Sequence, residues 1–546
     1  MSPTEPHRRL ASPFSAKLGT NYCPTDEEIV VMRSLLSDPS LTLRLNALDD
    51  EIAVLQKRLD ALNADRDDLV AYVESHNALL SPVRRLPLDI IQEIFVACLP
   101  DRNCLMSATE APVLLGRICS SWRAISLSTP RLWSKLHIVE PRDVTSSSGK
   151  EKWARRLDTS ALWLARSGTC VVSISVASRA NSYDASAENM HQLFSQILIP
   201  LAPRWRAVYL NVLSGTIQLL SNLTEDDVPA HQQVSIIEPP TPGSPDSVSL
   251  ASMRIFHGPS VSWFSFMGPA VNLPTELPLR WNQLTVLHLI PLAAGAESPV
   301  LSARAAREIL SVCRVLRVCH LGVRDREEPS LPILDDIIEH TSLHTFHLRG
   351  AWDGTVTFTM RQLFARLSLP GLREFRLTGV NSLQPEDPMR YLTPFLAAAP
   401  FLESLQVSGD IFSQNVLIDF LRGLRALERL TLDHSSYLTD EFLDQLAGPE
   451  PRCPDLRAIV AKDCAFSDAA VLRFITSRMT ARDGNRLEQF ELYFGYDMLV
   501  TSRLDVRAGI QPLVDAGHTP PVLRLDYPAP RPEPILLPLD GLESLP

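Results

Sequence analysis

Beyond residue 200 a six-residue phrase keeps returning: leucine, two variable residues, leucine, one variable residue, leucine or a near equivalent. LTVLHL begins at 284, LRVCHL at 316, LHTFHL at 343, LREFRL at 372, LESLQV at 402, LERLTL at 427, LRAIVA at 456 and LEQFEL at 487. The intervals are 32, 27, 29, 30, 25, 29 and 31 residues. Weaker copies, WRAVYL at 205 and LASMRI at 250, extend the series upstream. Alternation within the phrase is that of a strand with one buried face. Each interval leaves room for one strand and a returning segment. A single copy cannot bury its apolar face alone, so the copies must stack on one continuous core.

LxxLxL at this period is the leucine-rich repeat, a curved solenoid of strand-and-return units. The expected fold class is therefore α + α/β, with the solenoid over residues 201–527, ending on LRLDY at 523–527, and a proline-bearing tail at 528–546. The loop EPPTPGSPDSV at 238–248 accounts for the long interval between 205 and 250 and reads as disordered. Its Thr241-Pro242 and Ser244-Pro245 pairs suit proline-directed kinases, although such pairs are common in any proline-rich loop. Thr439-Asp440 and Ser467-Asp468 suit helix N-caps, and Cys464 stands where these repeats bury an Asn or Cys.

Upstream, residues 1–40 read as a flexible arm ending in a short helix around Glu27 to Leu36. A heptad follows over 41–80: Leu45, Leu48, Ile52, Leu55, Leu59, Leu62, Leu69, Val73 and Leu80 fall at steps of three and four, interrupted by Arg66 and His76. Such a seam predicts a coiled-coil helix. It leaves open a homodimer through residues 45–80 or a helix laid along its own protein.

Next comes RRLPLDIIQEIFVACLP at 84–100, in which Pro87 opens a short helix and Ile90, Ile91, Ile94 and Phe95 recur at helical spacing. APVLLGRICSSWRAISLSTPRLWSKLHI follows at 111–138, carrying Trp122 and Trp133. The ordered series Leu86-Pro87, Ile90-Ile91, Ile94-Phe95, Ile118-Cys119, Trp122-Arg123 and Pro130-Arg131-Leu132-Trp133 resembles the F-box, with DRNCLMSATEAPV as extra length before the second helix. The resemblance covers residues 82–138, and the cysteine-containing repeat variety often follows such a module. It implies docking to the adaptor of a cullin-RING ubiquitin ligase, with Leu86, Pro87, Ile90, Ile91, Ile94, Phe95, Trp122, Leu132 and Trp133 as adaptor-binding residues. Residues 139–200 read as a connecting region.

The chain is acidic, 52 basic against 63 acidic residues for a net −11, which disfavours nucleic acid or an anionic membrane as partner. No apolar run is long enough to span a bilayer, and the first twenty residues lack a secretory core, so a cytoplasmic or nuclear protein is expected. Nine scattered cysteines without a CxxC pair read as reduced core residues, and the sequon at Asn222 has no meaning without secretion. No phosphate loop, HExxH, nucleophile elbow or dinucleotide fingerprint is present, so neither an enzyme nor a cofactor or metal site is expected.

The middle position of each repeat should face outward and form a column: His288, His320, His347, Arg376, Gln406, Thr431, Val460 and Glu491, with Arg349 beside His347. Its first half reads as a basic target-binding patch for an acidic or phosphorylated segment, strengthening as the histidines protonate below about pH 6.5. The resulting expectation is the substrate receptor of a ubiquitin ligase. The alternative is a repeat scaffold for protein assembly without a ubiquitin role.

Overall fold

The computed structural model describes residues 12–178, 183–239, 250–268, 277–291, 301–324, 337–351, 363–378, 389–408, 414–433, 438–447, 453, 455–480, 487–494 and 505–526. The chain divides into two compact units, Met1–Ile91 and Gln92–Pro546.

In the first unit a capping box opens helix Asp26–Leu36, the Thr25 hydroxyl accepting the Glu28 N–H while Glu28 accepts the Thr25 N–H. Lys17 pairs with Glu28 at 2.6 Å, and the Tyr22 hydroxyl donates to the same carboxylate at 2.9 Å. The segment 12–25, expected as part of a flexible arm, is thus tied to that helix; residues 1–11 lie outside the described residues. Asp38 then caps a 42-residue helix, Pro39–Leu80, with Pro39 in its first turn. None of its residues is buried. A turn at Pro82–Arg85 leads to helix Leu88–Ala97, where the Pro87 carbonyl accepts the Ile91 N–H at 3.1 Å.

Among the described residues, the second unit is dominated by one parallel sheet of fourteen strands. In chain order the strands are β1 Lys135–Val139, β2 Val172–Ala177, β3 Trp205–Asn211, β4 Gln233–Ile237, β5 Trp263–Gly268, β6 Val286–Pro291 and β7 Val318–Arg324. Then follow β8 Ile338–Glu339, β9 Thr345–Ala351, β10 Leu367–Ser368, β11 Glu374–Thr378, β12 Ser404–Ser408, β13 Arg429–Asp433, β14 Ala458–Cys464, β15 Gln489–Phe494 and β16 Val522–Asp526. Among the described residues the short strands β8 and β10 pair with each other in a separate two-stranded sheet. All the rest lie side by side in chain order, as a solenoid of repeats requires.

Inward positions alternate with outward ones along each strand. Leu287 and Leu289 of β6, Phe346 and Leu348 of β9, and Phe375 and Leu377 of β11 are buried at 1% exposure or less. Ser302 and Ser467 cap the returning helices Ala303–Val312 and Asp468–Thr480, each hydroxyl accepting a backbone N–H. Thr439 occupies an N-cap position, but its N–H and hydroxyl both donate to Gln414 instead. Cys464 is buried and its thiol donates to the Tyr493 carbonyl at 3.6 Å, continuing the repeat ladder.

Three expectations change. The sheet begins at Lys135, so residues 139–200 are repeat units carrying β2 and the helices Ser147–Arg166 and Tyr183–Leu193, not a connector. β2 hides from the leucine pattern because its inward residues are Val172, Ile174 and Val176. LASMRI forms two 3-10 turns, Leu250–Ser252 and Arg254–His257; the true strand is β5, whose inward residues are Phe264 and Phe266. Strands then start at 205, 233, 263 and 286, and no interval is long. Glu238, the first residue of the expected loop, is buried and accepts from the Ser214 hydroxyl at 2.5 Å. Residues 240–249 and the tail 528–546 lie outside the described residues.

The extra segment before the second helix of the module has a place in this sheet. The His137 N–H donates to the Cys104 carbonyl at 2.8 Å, the Ser173 hydroxyl donates to Asn103 at 2.8 Å, and Arg102 pairs with Glu110 at 2.7 Å. The segment covers the outer edge of β1, the kind of edge that invites pairing with another chain when left open.

Candidate functional site

Two surfaces are built from the residues that the sequence singles out. On helix Leu88–Ala97, Ile90 and Ile94 stand one turn apart and are 44% and 42% exposed, and Pro87 before it is exposed. Leu86 and Ile91 are half-buried. Phe95 is buried, its ring 4.8 Å from the half-buried Trp122.

Leu132 and Trp133 sit in the turn Pro130–Trp133 and are also buried. The Trp133 indole N–H donates to the Ser126 carbonyl at 2.8 Å, and its ring meets Trp163 edge-on at 4.8 Å with the Arg166 guanidinium 4.6 Å above it. Phe95, Leu132 and Trp133 are therefore core residues that no partner can reach. Exposed apolar residues that the sequence reading left out of the docking set are Leu88 on helix Leu88–Ala97 and Leu114, Ile118 and Leu127 further along the chain.

The second surface is the outward column of the sheet. His288 pairs in register with His320, His320 with His347, His347 with Arg376, and Arg376 with Gln406, continuing through Thr431 and Val460 to Glu491. The three imidazoles stack nearly parallel, centroids 4.0 and 3.9 Å apart at 6° and 11°. Trp263 meets His288 edge-on at 5.7 Å and Tyr209 at the same distance, so the ring series extends beyond the histidines. At the other end Glu374 accepts from Arg376 at 2.7 Å and lies 3.2 Å from His347 Nε2. Arg349 is exposed beside it.

This environment overturns the expectation of histidines that charge near pH 6.5. Burial, reinforced by His347, pushes His288 down to about 4. Burial and then the neighbouring His288, His347 and Arg376 push His320 down to about 3. His347 is lowered by burial and Arg376, against the opposing pull of Glu374. Nε2 of His288 and of His320 is buried without a hydrogen-bond partner, so a proton there would be a charged donor with nothing to receive it. At neutral pH the cations of this stretch are Arg349 and Arg376. Stacked rings do not converge their nitrogens on one point, and among the described residues no group of three or more His, Cys, Asp or Glu side chains could hold a metal ion.

A separate open groove of about 620 Å³ lies along β12–β16, lined in part by Glu403, Glu428, Glu488, Arg429 and Arg457. Arg457 stands 3.8 Å from Glu428 and 3.6 Å from Glu488, so its charge is already met within the chain. Among the described residues no helix is long and apolar enough to cross a membrane.

No family model matches the chain, and no curated protein matches it. Among solved structures, the complex of Rad7 and Elc1 in yeast is similar with a TM-score of 0.38 and 12% identity, covering 82% of this chain and 97% of that one. A Bacteroides fragilis protein is similar with a TM-score of 0.30 and 15% identity, covering 65% of this chain and 86% of that one. At those scores neither likeness assigns a role.

Proposed function

We propose that the chain is the substrate-recognition subunit of a cullin-RING ubiquitin ligase, working in the cytoplasm or nucleus. The helix Leu88–Ala97 docks the ligase adaptor and the outward face of the sheet holds a target protein. The observation that supports this reading is the pairing of Leu86-Pro87 with a helix whose Ile90 and Ile94 remain exposed, in a region that buries Phe95, Leu132 and Trp133 as its own core. Large apolar side chains left outside a satisfied core mark an interaction face. The chain performs no catalysis on this reading; it positions a target for other subunits.

On the target side, Arg349 supplies a guanidinium group for a carboxylate or phosphate and Arg376, held by Glu374, a second, while the half-buried imidazole edges between Trp263 and Arg376 add contact surface. Reciprocal capture tests both halves with the full chain. Ile90→Asp with Ile94→Asp should weaken adaptor binding by about 3 kcal/mol or more, roughly 100-fold, while sparing target capture. His320→Ser, His347→Ser and Arg376→Ser together should have the opposite effect. Undiminished co-purification of adaptor with the double Asp variant would sink the docking assignment, and undiminished target recovery with the triple variant would remove the column.

A further inference from the structure

We infer that helix Pro39–Leu80 pairs with the same helix of a second copy of this chain, antiparallel, with Leu59 of each copy level with Leu62 of the other. The inference stands independently of the ligase reading. Its first ground is the uncovered seam. In heptad terms Leu45, Ile52, Leu59, Arg66 and Val73 occupy position a, and Leu48, Leu55, Leu62, Leu69 and His76 occupy position d. The apolar members are all between 49% and 66% exposed, and the helix buries none of its 42 residues. An isolated amphipathic stripe of this length gains its stability by covering that face.

The second ground is that the flanks of the seam are complementary to themselves. In an antiparallel pair, g positions face g positions and e positions face e positions. With Leu59 level with Leu62, Arg58 meets Asp65 of the second copy, and the two-fold axis repeats the pair. Along the rest of the flanks Glu51 meets Tyr72, Arg44 meets Leu79, Asp49 meets Val70 and Gln56 meets Asn63, so no like charges face each other.

The third ground is the pair of residues that break the seam. Antiparallel, Arg66 falls opposite Leu55 and His76 opposite Leu45. A parallel pair would instead set Arg66 against its own copy and His76 against its own copy, placing two cations in one core layer and two polar rings in another. Arg66 is already paired with Asp67 at 2.7 Å, with about two-thirds of both side chains exposed. Its stem can therefore lie over an apolar neighbour while its head stays wet. Parallel pairing offers the contact of Arg44 with Asp49 in return, no more than the Arg58 and Asp65 pair that the antiparallel form provides. The like-residue layers decide the orientation.

Sedimentation of the full-length chain over a concentration series tests this. The 60.7 kDa chain should reach twice that mass. Arg58→Asp and Asp65→Arg alone should each weaken dimerisation roughly tenfold, because two attractions become two repulsions, and the combined variant should recover the parent affinity. Arg44→Asp should change it less than about twofold. These are exposed charges on one helix, and circular dichroism controls for folding. A chain that stays monomeric at every concentration overturns the proposal. So does a dimer that survives deletion of residues 41–80, or one indifferent to Arg58 and Asp65. A dimer broken by Arg44→Asp and restored by adding Asp49→Arg would establish the parallel form and overturn the antiparallel one.

Discussion

At the scale of single residues, the histidine column shows how far alternation and spacing carry. Which side chains stand next to which was legible: the middle positions of LTVLHL, LRVCHL and LHTFHL are register partners. Their protonation was not, because it depends first on burial and then on the neighbouring His288, His347 and Arg376, with Glu374 opposing at His347, none of which leaves a trace in a repeat pattern. The same holds for Phe95, Leu132 and Trp133, whose apolar character gives no sign of whether their own chain or a partner covers them. The lowered histidines make stability depend on pH with a definite sign. Above pH 6.5 both folded and unfolded forms are neutral and nothing is lost. As pH falls through the unfolded value the unfolded chain takes up protons that the native stack refuses, and stability declines until the folded values near 4 and 3 are reached. The slope per histidine is at most about 1.4 kcal/mol per pH unit, reduced by screening since the rings are half-exposed. Denaturant midpoints between pH 7 and pH 5 should therefore fall less steeply in a His288→Gln, His320→Gln variant than in the parent. Parallel slopes for the two proteins would rule out the stack as the titrating element.

At the scale of elements, strands whose repeat opens on a buried leucine, such as Leu284, Leu343 and Leu427, announced themselves, whereas β1, β2, β4 and β5 did not. Their inward residues, such as Ile174, Val234, Phe264 and Phe266, satisfy the same core by size and apolarity without repeating a letter. Helix boundaries were better marked by caps than by periodicity: the heptad counts from Leu45, but Asp38 and Pro39 start the helix earlier. One glycine fixes the approach of two neighbouring strands. A methyl group added at Gly322 of β7 would overlap the ring of Pro291 at the end of β6. Pro291 cannot yield easily, because its ring is part of the backbone. Gly322→Ala should then cost about 1–3 kcal/mol, read as a lower melting temperature with the fold retained. An unchanged melting temperature would mean that the strand ends separate freely.

At the scale of the whole molecule, each of the fourteen sheet strands among the described residues pairs with the strands before and after it in the sheet, so the second unit has a continuous but one-dimensional core. Stability in such an array is a sum of repeat terms and nearest-neighbour interfaces, and damage should stay where it is made. Leu492 of β15 is fully buried, and Leu492→Ala should remove about 2–5 kcal/mol locally through lost contacts and the cavity left behind. Hydrogen exchange in that variant should rise across β14, β15 and β16. β2, β3 and β4 should keep the parent protection, because the intervening strands transmit only the cost of one lost interface at a time. The outcome separates two kinds of molecule. Equal loss of protection at both ends would show a single cooperative core. Loss graded with distance from β15 would show that the repeats at the two ends open independently, leaving the histidine column at β6, β7 and β9 intact while the far end frays.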